Sequence, residues 1–172
     1  MSYVYLMASL PLLSFTDPAP LSMAELESQC SGVLPGPLLS QLVELVGGAP
    51  TSIPVVNEYR QYQQSLDNEL ATFRARALGR KAELSTASFK DIPVAEATEI
   101  MHAHNPKEAQ QVRWYALWSK LKELHLGHYM DQEDFFLYAL QLQLLLEKEQ
   151  YNLDAGRQNV TAVVKNLLES VG

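Results

Sequence analysis

Asp131-Gln-Glu-Asp-Phe-Phe-Leu-Tyr-Ala-Leu-Gln-Leu-Gln-Leu-Leu-Leu-Glu-Lys-Glu-Gln150 is the stretch that decides the fold. Asp131 has the short acceptor side chain of an N-cap. Glu133 and Asp134 then put negative charge into a first turn, where the helix dipole favours it. Phe135, Phe136, Leu137, Leu140, Leu142, Leu144, Leu145 and Leu146 spread apolar surface nearly all the way round a helix expected to run to about Leu153. A helix apolar on every face must be surrounded by others, so this one is expected at the centre of a bundle.

Outward from it, the three-to-four-residue period continues. Asn105-Pro106-Lys107-Glu108 reads as an N-cap with Pro in the first turn, opening a helix through Val112, Tyr115, Trp118 and Leu121 to about Leu126, where Gly127 stops it. Pro54 opens a long helix to about Gly79, with Val55, Tyr59, Tyr62, Leu66, Leu70, Phe73 and Ala77 along one stripe. Shorter helices are expected over residues 21–30, where Ser22 and Glu25 have capping-box spacing, and over 37–46, stopped by Gly47-Gly48. Further helices are expected over 93–104 and 156–171, with 85–91 as a linker. The alternation Tyr3/Tyr5 followed by Leu6, Leu10 and Leu12 reads as a buried opening segment of the core, with residues 3–6 the one stretch open to an extended form. The expectation is a single all-α domain over residues 1–172, with six or seven helices and a short apolar N-terminal segment.

Composition narrows function by exclusion. The chain has 172 residues, 13 basic and 20 acidic, for a net charge of −7. Neutralising nucleic-acid phosphates needs a surplus of Lys and Arg, so nucleic acid is not the expected partner. The apolar run from Val4 to Leu13 has no basic residue before it and is far short of a membrane span, so neither a secretory signal nor membrane insertion is expected. A cytoplasmic location follows, in which the Asn159-Val-Thr161 sequon has no meaning. Cys30 is the single cysteine, which rules out an intramolecular disulfide and a Cys-based zinc site; a small buried apolar residue is the expected role.

Catalytic constellations are scarce. Neither a phosphate-binding glycine loop nor a nucleophile elbow is present, no cofactor is implied, and no enzyme is expected. His102 and His104 would sit about 200° apart on a helix and cannot share a metal. His125-Leu-Gly-His128 has a usable spacing, and a metal- or ligand-binding site near His125 and His128 is the alternative reading. Against it, Gly127 falls between them, and His125 in a last turn is accounted for by the helix dipole.

Charge is segregated. Residues 1–59 hold five acids (Asp17, Glu25, Glu27, Glu44 and Glu58) and no base. Arg74, Arg76, Arg80 and Lys81 then place four positive charges within eight residues. Such a cluster can dock an acidic protein surface and speed encounter, or simply be solvated at a helix C-terminus. Trp114 and Trp118 lie one turn apart on the face of Leu121. They read as core, although an exposed Trp would be a strong binding anchor.

One resemblance adds to this. Tyr3-Val-Tyr-Leu-Met-Ala-Ser-Leu-Pro-Leu-Leu-Ser-Phe15 resembles the opening of a bacterial family whose members begin with aromatic residues and an A-S-L-P-x-L-S-F stretch. Its genes lie within operons for V/A-type ATP synthases. Phe136-Leu-Tyr-Ala-Leu-Gln-Leu-Gln-Leu-Leu-Leu146 is similar to helices of the stalk subunit called C or d in those ATPases, an all-helical, non-catalytic cap joining the rotor ring to the central stalk. That subunit is considerably longer and built from repeated helical units. The resemblance implies a small, non-enzymatic helical subunit or assembly factor whose partners are V/A-type ATPase subunits. Its place would be peripheral to the inner membrane, through the complex. It carries over no catalytic residue.

Overall fold

The computed structural model describes residues 3–81 and 93–151. Within them the chain forms seven helices: α1 (Tyr3–Ser9), α2 (Met23–Ser31), α3 (Gly36–Val46), α4 (Pro54–Ala77), α5 (Val94–His102), α6 (Pro106–Leu124) and α7 (Gln132–Gln150). No strand occurs among the described residues, and the fold is all-α. The expected helix over 156–171 and the linker over 85–91 lie outside the described residues.

Local chemistry sets the helix starts. Ser22 accepts from the Glu25 amide while the Glu25 carboxylate accepts from the Ser22 amide, a complete capping box. Asn105 accepts from the Glu108 amide and Asp131 from the Asp134 amide. Two helix ends share one device. At α3, Gly48 (φ 74°) lets its own amide reach the Leu45 carbonyl and that of Ala49 reach Glu44. At α4, Gly79 (φ 65°) bonds Arg76 and Arg80 bonds Ala75 in the same way. These are Schellman motifs, in which a left-handed residue just past the helix satisfies its last carbonyls, and glycine takes that conformation without a Cβ clash.

All seven helices contribute to one buried cluster. α7 lies at its centre, packed against α2, α3, α4 and α6, with every residue from Phe135 to Leu142 buried along with Leu144 and Leu145. The stripe of α4 is buried from Val55 to Leu70, but Phe73 is only partly covered and Ala77 is exposed. The last turns of α4 therefore leave the core, which brings its basic end to the surface. α5 packs on both α4 and α6.

The opening of the chain is helical and not extended. Residues 3–9 form α1, whose Leu6 is buried in the core while Val4 and Tyr5 are exposed. No helix among the described residues is long and apolar enough to cross a membrane.

Candidate functional site

Three regions hold the residues singled out in the sequence, and the fold treats them differently. The first is the C-terminal end of α4. Arg74 and Arg76 stand in its last turn, and the Schellman turn at Gly79 folds the chain back so that Arg80 and Lys81 follow immediately. All four side chains are exposed. The Arg76 guanidinium lies 5.9 Å from the centroid of the Phe73 ring, a stacking geometry that holds its direction. Leu78, 70% exposed, lies between Arg76 and Arg80 in the chain. An exposed apolar side chain in a basic stretch is suited to an acidic surface carrying an apolar contact. Leu78 was not distinguished in the sequence, where it reads as one more helical leucine.

The second region holds the two tryptophans. Trp114 and Trp118 are both buried, as their core reading expects, and neither is an exposed anchor for a protein partner. Trp114 packs edge-to-face on Tyr151, ring centroids 5.2 Å apart, and its indole N–H reaches a Glu147 carboxylate oxygen at 3.5 Å. Trp118 is covered by Phe15, centroids 5.8 Å apart. The cover is the opening segment itself, which leaves α1 and crosses α6 and α7 as a strap. The Tyr138 hydroxyl donates to the Pro11 carbonyl at 2.9 Å, Lys148 donates to the Phe15 carbonyl, and Glu149 accepts from the Ala19 amide. Lys148 also lies 4.2 Å from the centroid of the Phe15 ring. The string that carries the family resemblance is therefore pinned by contacts far along the chain. Its Leu12, held outward, is 94% exposed.

The third region is the turn between α6 and α7. α6 ends at Leu124, with His125 as its C-cap, so His125 and His128 do not share a helical face. Each pairs with a carboxylate instead: His125 Nδ1 with Asp134 at 3.0 Å, and His128 Nδ1 with Asp131 at 2.8 Å. Asp134 also accepts from the Met130 amide at 2.7 Å, which fixes the left-handed Met130 (φ 52°). Among the described residues, the grouping with metal-ligand potential is His128, Asp131 and Glu133, whose donor atoms lie within 4.8 Å of one another; His125 is not a member. Asp131 already caps α7 and holds His128. Burial acts to raise its pKa, but the Asp134 amide and His128 outweigh this and hold the carboxyl below its ordinary 3.8. The polar atoms of Asp131 thus have structural tasks.

Cys30 is fully buried, and burial, with Glu27 adding to it, pushes its thiol up to about 11 from 9.0. A thiol so shifted is a poor nucleophile at neutral pH. No family model, curated protein or solved structure matches the chain.

Proposed function

We propose that this chain is a non-catalytic helical subunit or assembly factor of a bacterial V/A-type ATPase, acting through protein–protein contact at the cytoplasmic face of the membrane. The observation that carries the reading is the string over residues 3–15, with its resemblance to proteins encoded in ATPase operons. The exposed basic end of α4 supports it, because it offers a docking surface of one sign on a chain of net charge −7. In this reading Arg74, Arg76, Arg80 and Lys81 meet carboxylates of a partner subunit, and Leu78 meets an apolar side chain between them.

The test is co-purification of tagged full-length protein from cells that make the complex. ATPase subunits should accompany the tag, and Arg76→Glu together with Arg80→Glu should weaken the association about tenfold or more, since reversed charges repel where the originals attract. Isolation free of ATPase subunits, from cells shown to assemble the complex, would sink the proposal. Undiminished association of the charge-reversed protein would move the interface away from α4.

A further inference from the structure

Between the strap and α6 runs an open groove of about 800 Å³, to which α7 contributes Gln141. Phe15, Tyr115 and Trp118 form aromatic walls, while Lys122, His125 and Gln141 supply polar groups. Among the described residues no Asp or Glu lines it, although acids outnumber bases in the chain.

Two polar groups here have no protein partner. Gln141 is only 8% exposed and Trp118 only 6%, yet neither the Gln141 amide nor the Trp118 indole N–H has a hydrogen-bond partner among the described residues. Neither polar atom is sealed from solvent, so both donors are open to a molecule lying in the groove. His125 is the sealed case. Asp134 accepts only, so His125 Nδ1 carries the proton, and Nε2 is left buried and unpartnered. The free groups facing the groove are mostly donors: an indole N–H, an amide NH2 and the Lys122 ammonium.

Donors beside aromatic walls, in a groove lined by no carboxylate, suit an apolar molecule that ends in an anion. We propose that this groove binds a small carboxylic acid with an aromatic or branched apolar body. The body lies against Phe15, Tyr115 and Trp118, and the carboxylate accepts from the Gln141 amide and Lys122. This site is separate from the α4 surface and does not depend on the reading above.

The probes are phenylacetate and 3-phenylpropionate, added to full-length protein, with phenylacetamide as the uncharged comparison. The readout is the two indole N–H signals in NMR spectra. The Trp118 signal should shift saturably while that of Trp114 stays in place, and phenylacetamide should bind about tenfold or more weakly. Gln141→Met and Lys122→Gln should each weaken phenylacetate about fivefold or more; Lys122 is exposed, so its variant keeps the test valid if Gln141→Met fails to fold. The proposal is overturned if neither acid gives a saturable shift at millimolar concentration. It is equally overturned if the amide binds as well as the acid, or if the folded variants bind as the parent does.

Discussion

Tyr138 and Pro11 stand 127 residues apart in the chain, and one hydrogen bond of 2.9 Å joins them. The phenol of the central helix α7 donates to the Pro11 carbonyl of the opening segment. It fastens the strap over Trp118. Tyr138→Phe keeps the ring packing and removes only the donor, so it should cost about 1 kcal/mol. Urea titration would read this as a lower midpoint with an unchanged slope. An unchanged midpoint would mean that the strap is held by its other contacts.

Asp131 caps α7 and holds His128 with the same carboxylate. Asp131→Ala should cost about 1–2 kcal/mol, and Asp131→Asn distinctly less, because the amide oxygen still accepts from the Asp134 amide. The depressed pKa gives this a pH signature. Above the ordinary value of 3.8 the contribution is fully present, and it is lost as pH falls through the lower folded value. Acid titration of parent and Asn variant should therefore converge at low pH; parallel curves would argue against the depressed carboxyl.

Burial, with Glu96 and Glu123 adding to it, pushes the Tyr62 phenol up to about 12 from 10.0, and burial alone does the same to Tyr138. Between about pH 10 and 12 the unfolded chain loses protons that the folded chain keeps. Stability is then intact below pH 10 and declines as pH rises through 12. Tyrosine ultraviolet absorbance should show late-titrating phenols that ionise together with unfolding. The stability decline should be shallower in Tyr138→Phe, and an equal slope would contradict the assignment.

Cys30 should be silent towards iodoacetamide in the folded protein at neutral pH and react at the rate of a free thiol once urea unfolds the chain. Mass spectrometry of the labelled protein distinguishes the two states. Rapid labelling without unfolding would show that α2 opens readily.

Much of the fold could be read residue by residue because its causes are local. Ser22, Asn105 and Asp131 find their partner amides within three residues, and Pro54 and Pro106 open helices by constraining their own φ. The apolar content of α7 told of its central place for the same reason, since no single face was left to meet water. The sites were less legible. The cluster over residues 74–81 is visible as charge, but Leu78 becomes part of it only because α4 runs out of the core before it ends.

What the sequence determined by itself is therefore helices α2 to α7, their starts, the central member and the basic cluster at the end of α4; α1 was not among them. Only the tertiary structure decided which aromatic residues are buried, which histidine meets which carboxylate, and where donors are left unpaired. The physical reason is range. Caps and helical periods are settled by neighbours within one or two turns, whereas burial of Trp118 depends on Phe15, more than a hundred residues away. No local pattern announces that the strap will cover α6, and that contact also forms the groove.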